Sequence, residues 1–267
     1  MVDNIIAFPE QDSEEQSSAL RLPRLIGHRG ARAYAPENTL AAIHTAADMG
    51  AEWIEFDVKL SKDGEPILFH DETLERITHM SGPVAEMDWK DLKQLDAGVH
   101  FSDSFVDERI PHLEEALDVI LERKLGINLE IKPCPGREKE TAEVALDFLS
   151  RIWPEEDMPI PLISSFQAVS LETALHMAPG WPRGYLIATD LEQTMENWRE
   201  KVDHLQVSTI NFGTSFLTEN TAMLEEFLDT DYPLLCYTVN DLDMAQQLLE
   251  MGVTSIFSDK PDLLDDL

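Results

Sequence analysis

Two histidines, an arginine, a lysine and three carboxylates in this chain have the types and spacing that phosphoryl transfer needs. His28-Arg29-Gly30 is followed by Glu55-Phe56-Asp57 and then by His70-Asp71. A histidine can take and give a proton, an arginine can hold a phosphate in its planar fork, and carboxylates one strand period apart can grip a hard metal ion. Glu130-Ile131-Lys132 repeats that spacing and adds a third carboxylate and a lysine. Glu55, Asp57 and Glu130 offer only hard oxygen atoms, which favours Mg²⁺, Mn²⁺ or Ca²⁺, and no Cys/His spacing suits zinc. Taken alone, Glu55 and Asp57 read more readily as solvated strand ends or helix caps than as ligands, and Glu130 with Lys132 could be a salt-bridged rim. Their coincidence with His28 and His70 favours a site. Asp71 reads either as an orienting partner for His70 or as a turn cap. His44, His79, His100, His112, His176 and His204 fall on predicted helices or loops without a carboxylate constellation, and read as surface or packing residues.

These side chains need a scaffold that aims them at one point. Short apolar runs at Arg24 to His28, Trp53 to Val58, Ile127 to Ile131, Pro161 to Ser164, Gly184 to Ile187, Leu205 to Val207, Leu234 to Tyr237 and Ser255 to Phe257 have the character of buried parallel strands. Leu40/Ile43/Ala47, Leu113/Leu117/Ile120/Leu121 and Leu242/Ala245/Leu248/Leu249 have the spacing of helices with one buried face. Eight strands alternating with helices predict an α/β fold of the TIM (β/α)8 barrel class, in which catalytic groups sit at the C-terminal strand ends. Each candidate follows or ends a predicted strand. The turn signal Lys62-Asp63-Gly64, with Pro66 to Phe69 beyond it, predicts that strand two folds back as a hairpin and brings His70 beside Asp57. Residues 72–109 break the alternation and read as an inserted subdomain over the mouth. Its aromatics Trp89, Phe101 and Phe105 suit packing of that unit better than a leaving-group pocket. Residues 1–23 are polar and read as a mobile tail, leaving 24–267 as the barrel.

Composition narrows the partners. Fifty-two acidic against twenty basic side chains give a formal charge of −32, which opposes nucleic acid and anionic lipid at long range. A phosphate-bearing substrate then requires local positive charge from a metal, Arg29 or Lys132. No segment approaches the length of apolar chain that a membrane span requires, so stable membrane association is not expected. Cys134 and Cys236 are the only cysteines and fit reduced thiols in a cytoplasmic protein, and Cys134 reads as a small inert loop residue.

Seven blocks, in order, resemble the glycerophosphodiester phosphodiesterases, and most closely their cytosolic bacterial branch. They are Ile26 to Gly30, Pro36-Glu37-Asn38-Thr39, Ile54 to Gly64, Phe69-His70-Asp71, Leu129 to Pro133, Ser164-Ser165-Phe166 and Tyr237-Thr238-Val239-Asn240. The resemblance spans Arg24 to Leu264. It implies a TIM barrel with a small insertion, His28 and His70 as the acid/base pair, and Arg29 and Lys132 on the phosphate. It further implies one divalent cation on Glu55, Asp57 and Glu130, and Tyr237 and Asn240 at the substrate. Many members carry tryptophan where this chain has Tyr237, which keeps an aromatic wall for the glycerol, and threonine where it has His112. The implied reaction converts glycerophosphodiesters such as glycerophosphocholine or glycerophosphoethanolamine into glycerol 3-phosphate and an alcohol, by attack of the vicinal glycerol hydroxyl and opening of a cyclic phosphate. The alternatives are a lysophospholipase D-like activity, disfavoured by the charge, and a non-catalytic metabolite-binding barrel, which would not require two proton-transfer groups.

Overall fold

The computed structural model describes residues 20–267; nearly all of the expected tail lies outside them. Strand β1 (Leu25–Gly27) leads through α1 (Leu40–Asp48) to β2 (Trp53–Leu60), which folds back as β3 (Pro66–Leu68). A short helix, α2 (Trp89–Leu92), lies in the stretch that follows. The alternation then resumes with α3 (Leu113–Arg123), β4 (Gly126–Ile131), α4 (Glu138–Ile152), β5 (Leu162–Ser165), α5 (Ala168–Met177) and β6 (Arg183–Ile187). It ends with α6 (Glu192–Met195), α7 (Trp198–His204), β7 (Thr209–Gly213), α8 (Thr221–Leu228), β8 (Leu234–Tyr237), α9 (Leu242–Glu250) and β9 (Ser255–Ser258). The strands pair in the order β1-β9-β8-β7-β6-β5-β4-β2, all parallel, and β1 also pairs with β2. The ring therefore closes as a TIM barrel, with β3 paired antiparallel outside it.

One expected strand lies elsewhere. Leu205 to Val207 is not extended: Leu205 closes α7, and Gln206 turns the chain at φ +48°. Leu205 and Val207 are buried because they pack under the helix layer, which gives the apolar signal without a strand. The strand is Thr209–Gly213, whose Thr209 and Asn211 weakened its apolar signature.

Period-two alternation divides every strand between two environments. In β2, Ile54, Phe56 and Val58 pack into the cluster beneath α1, α3 and α4, and in β4 Ile127, Leu129 and Ile131 do the same. Their alternate neighbours, Glu55 with Asp57 and Asn128 with Glu130, face the opposite way, into the barrel. Below them Ile26, Trp53, Leu162, Leu235 and Phe257 form an apolar layer. A Cβ at Gly126 would lie 2.3 Å from the Trp53 indole, so that layer closes only because residue 126 has none.

Local signals fix where the flanking helices begin. Thr39 caps α1 by accepting from the Ala42 amide, and His112 caps α3 in a reciprocal box with Glu115. His112 thus does the capping work that a threonine there would do, and no catalytic role is needed to explain it. From β3 to the start of α3, a separate apolar cluster of Ile67, Phe69, Leu74, Ile77, Val84, Leu92, Ala97 and Ile110 packs on its own. Trp89 packs against that cluster and against His112, and Phe101 stacks edge-on with Phe105.

Candidate active site

The turn after β1 sets the geometry of the mouth. Arg29 has φ +50° and Gly30 φ +83°, and a Cβ at Gly30 would come within 2.6 Å of the Ala42 carbonyl. This tight left-handed turn points the Arg29 amide at Glu55, whose Oε2 accepts at 2.9 Å. Asn38, also left-handed at φ +56°, locks Asp57 from both sides. Its Nδ2 donates to Asp57 Oδ2 at 2.8 Å, and its Oδ1 accepts from the Asp57 amide at 3.1 Å.

Glu55, Asp57 and Glu130 come together as expected from strands β2 and β4. Each offers an oxygen, and these oxygens lie within 4.8 Å of one another. All three residues are buried, and Glu55 Oε1 and Asp57 Oδ1 have no hydrogen-bond partner. Buried, unpartnered carboxylate oxygens converging on one point fit a hard divalent cation. Burial and mutual repulsion push Glu55 well above the usual carboxylate range and raise Glu130. Burial works the same way on Asp57, but Arg29, His70, Lys132 and the Asn38 amide together hold it low.

The cations face this cluster. Lys132 Nζ donates to Glu130 Oε1 at 2.8 Å, stands 3.8 Å from Asp57 Oδ1 and lies 4.9 Å from the centre of the Phe166 ring. Arg29 reaches Asp57 at 3.2 Å and donates to Glu37 Oε1 at 2.6 Å. Each histidine has a carboxylate on its Nδ1: His70 meets Asp71 Oδ1 at 2.6 Å, and His28 meets Asp259 Oδ1 at 2.6 Å. The His28 Nε2 is turned toward Glu55, 3.9 Å away. Burial lowers the His28 pKa against the opposing pull of Asp259. Burial, helped by Lys132 and Arg29, brings His70 down to about 4.

His28, Arg29, Glu55, His70, Glu130, Lys132 and Tyr237 line a single cavity of about 110 Å³, together with Asn128, Phe166, Leu186, Thr238 and Phe257. A larger space of about 500 Å³ adjoins it and shares His70, Glu130, Lys132, Phe166 and Tyr237. Neither space is lined by Trp89, Phe101 or Phe105. The Tyr237 ring meets Phe166 edge-on at 6.0 Å, and its hydroxyl is anchored on the Ile187 carbonyl at 2.8 Å.

Asn240 departs from its expected place at the substrate. Its Nδ2 donates to Asp259 Oδ2 at 2.7 Å, and its Oδ1 accepts from the Asp259 amide and the Ser258 hydroxyl. The side chain is engaged with Asp259 and Ser258 and does not line the cavity. Asp259 was not singled out by sequence reasoning. The one available signal was its position just after the last strand, at the catalytic end of the barrel.

Residues 28–263 match the glycerophosphoryl diester phosphodiesterase family. The chain belongs to that family. A glycerophosphodiester phosphodiesterase of Caldanaerobacter subterraneus subsp. tengcongensis is 32% identical over 247 residues, covering 91% of this chain and 96% of that one. Among solved structures, an Oleispira antarctica phosphodiesterase in complex with the product sn-glycerol-3-phosphate is 37% identical at a TM-score of 0.84, covering 92% and 96% of the two chains. A glycerophosphodiester phosphodiesterase from Agrobacterium tumefaciens is 27% identical at a TM-score of 0.71, over 92% and 100%. The glycerophosphodiester phosphodiesterase fold and a buried acidic triad able to hold a metal ion are thus both present in this chain. Among the described residues no helix is long and apolar enough to cross a membrane.

Proposed function

We propose that the protein hydrolyses small glycerophosphodiesters, such as glycerophosphocholine or glycerophosphoethanolamine, to glycerol 3-phosphate and the free alcohol, with His28 and His70 as proton carriers. The observation that carries this reading is the pair of imidazoles, each tied through Nδ1 to its own carboxylate, on one cavity with Glu55 and Glu130 of the acidic triad. That tie leaves each Nε2 as the working atom. The product named for the Oleispira antarctica neighbour, sn-glycerol-3-phosphate, supports the same substrate class. Two free buried thiols, Cys134 and Cys236, suit the reducing cytoplasm in which we place the enzyme.

Glu55, Asp57 and Glu130 would hold one divalent cation, Mg²⁺ or Ca²⁺, with Mn²⁺ also compatible with an all-oxygen set. When bound, that ion supplies positive charge to the phosphate oxygens. Arg29 and Lys132 add fixed positive charge where negative charge grows as the bond breaks. The glycerol moiety fits the smaller cavity against Tyr237, and the larger adjoining space admits the alcohol. His70 lines both, so it faces the leaving oxygen, while His28 faces the glycerol.

The steps balance with two histidines. His28 takes the proton of the vicinal glycerol hydroxyl as that oxygen attacks phosphorus, and His70 gives a proton to the departing alkoxide. The anionic phosphate favours the protonated form of the imidazole beside it. In the second half His70, now neutral, takes a proton from water as it opens the cyclic phosphate, and His28 returns its proton to the glycerol oxygen. The test is to incubate the protein with several glycerophosphodiesters and a lysophospholipid, with and without Mg²⁺ or Ca²⁺, and measure glycerol 3-phosphate from the diesters and the free alcohol from both. Metal-dependent release from the water-soluble diesters is expected. No release from any of them would refute the proposal, and cleavage confined to the lysophospholipid would favour the lipid alternative.

A further inference from the structure

We infer that Arg76, in the segment between β3 and α3, is a positioning residue for both sides of the reaction centre; this rests on the proposed roles of His70 and Arg29. Its guanidinium makes four hydrogen bonds to two carboxylates. Nε and Nη2 donate to Asp71 Oδ2 and Oδ1 at 2.6 and 2.9 Å, and Nη1 and Nη2 donate to Glu37 Oε2 and Oε1 at 2.7 Å each. Asp71 Oδ1 is the oxygen that meets His70 Nδ1, and Glu37 Oε1 is the oxygen that accepts from Arg29. One planar fork therefore joins the proton carrier to the phosphate-binding arginine through His70, Asp71, Arg76, Glu37 and Arg29.

The chemistry of the fork accounts for the residue type. Two bidentate faces at fixed angles need a guanidinium, since a lysine can supply the charge but not the plane. Without Arg76, Asp71 is free to turn, and the His70 ring loses its fixed orientation. Glu37 then keeps only Arg29 and Arg32, so the Arg29 fork is drawn harder toward Glu37 and away from the cavity. Arg76 thus holds His70 in place and leaves Arg29 available to phosphate. The fold itself is held by other means. The segment has its own apolar cluster, to which Leu74 and Ile77 on either side of Arg76 belong, whereas the Arg76 side chain is 43% exposed.

The test compares wild type, R76A and R76K on glycerophosphocholine with saturating metal. In R76A we expect kcat to fall and KM to rise, with kcat/KM lower by about 10- to 100-fold, the range typical of partners one layer behind a reacting group. R76K should recover only a minor part of the loss. Because the vacated position opens to solvent, added guanidinium at millimolar concentration should restore R76A activity severalfold while leaving wild type unchanged. Wild-type kinetics in either variant would overturn the inference. So would a loss in R76A that tracks a lowered thermal midpoint and does not respond to guanidinium, since that describes a purely structural residue. Should R76A not fold, R76K with an unchanged thermal midpoint decides the matter by the same kinetic criterion. If wild type itself releases no glycerol 3-phosphate, the proposed function fails first; an active wild type with indifferent Arg76 variants sinks only this inference.

Discussion

Asp259→Asn is the substitution that most sharply tests the proton-transfer geometry. Asp259 does not line the cavity, but its Oδ1 lies 2.6 Å from His28 Nδ1 and its Oδ2 accepts from Asn240. As a carboxylate it can only accept, so it fixes the proton on Nδ1 and leaves Nε2 bare, as the proposed uptake of the glycerol hydroxyl proton requires. It also opposes the burial that lowers the His28 pKa, because its charge stabilises the imidazolium formed as the hydroxyl is deprotonated. An amide keeps the shape and removes both effects. A hydrogen bond to a charged group is worth about 1.5 to 3 kcal/mol, and 1.36 kcal/mol is a factor of ten in rate, so kcat should fall by about 10- to 150-fold. If the amide turns its NH₂ toward Nδ1, the proton moves to Nε2 and the loss is larger. KM should change little, since no substrate contact is removed. The assay is initial-rate release of glycerol 3-phosphate at matched metal saturation, with thermal midpoints as a check on folding. A folded D259N with kcat within about threefold of wild type would show that Asp259 serves only to close the loop after β9.

His70→Ala should cost at least ~10²-fold in kcat with the fold retained, because it removes a proton carrier from a solvent-facing wall; a variant near wild-type turnover contradicts the acid/base assignment. Chelation should abolish activity, and Asp57→Asn or Glu130→Gln should raise the metal concentration that restores it, as read from a metal titration of rate. At a hundred times its Kd the ion stabilises the folded protein by about 2.7 kcal/mol, which for a domain of this size raises Tm by roughly 5 to 11 °C; no shift in a thermal melt would contradict binding. The depressed His70 pKa, about 4 against an ordinary histidine value of 6.5, means that the unfolded chain binds the extra proton between those values. Its contribution to stability is therefore complete above about pH 6.5 and lost on acidification toward pH 4, so metal-free H70Q should show a shallower fall in Tm over that window than wild type. A glycerophosphocholine analogue with hydrogen in place of the glycerol 2-hydroxyl should bind yet react very slowly, and equal kcat for the two would replace internal attack by direct attack of water.

Much of this site could be read from the chain because strands impose a fixed rule. Glu55 with Asp57, and Glu130 with Lys132, share a face by alternation alone, and the turn at Lys62-Asp63-Gly64 sends the chain back along β2 until the Phe69 amide bonds the Asp57 carbonyl at 3.1 Å. What local pattern could not show was the company each group keeps across distant segments. Asp259 lies 231 residues from the histidine it holds, and the resemblance that put Asn240 at the substrate could not show that its amide turns to Asp259. Glu37 lay in a recognised block, but its carboxylate gains meaning only where Arg29, Arg32 and Arg76 converge on it. The misplaced strand at Leu205 to Val207 has a similar origin, since apolar residues that seal a helix end are indistinguishable by composition from a short buried strand.

The acidity of the chain acts differently on the two ends of the proposed reaction. When all three are ionised, Glu55, Asp57 and Glu130 outnumber Arg29 and Lys132 by one charge, a balance that disfavours an anion. A dication on the triad reverses that balance to one positive charge, enough to welcome a phosphodiester that carries a single negative charge. The field of a chain with formal charge −32 then opposes the product more than the substrate. A phosphate monoester carries about 1.5 to 2 negative charges at neutral pH, its second pKa lying near 6. Outside the mouth that field reaches only about 8 Å at physiological ionic strength, so it acts at the entrance rather than at the phosphorus. In the proposed reaction, carboxylates within that distance of the entrance would tax a monoanion lightly, attract a substrate with a cationic alcohol and favour departure of glycerol 3-phosphate.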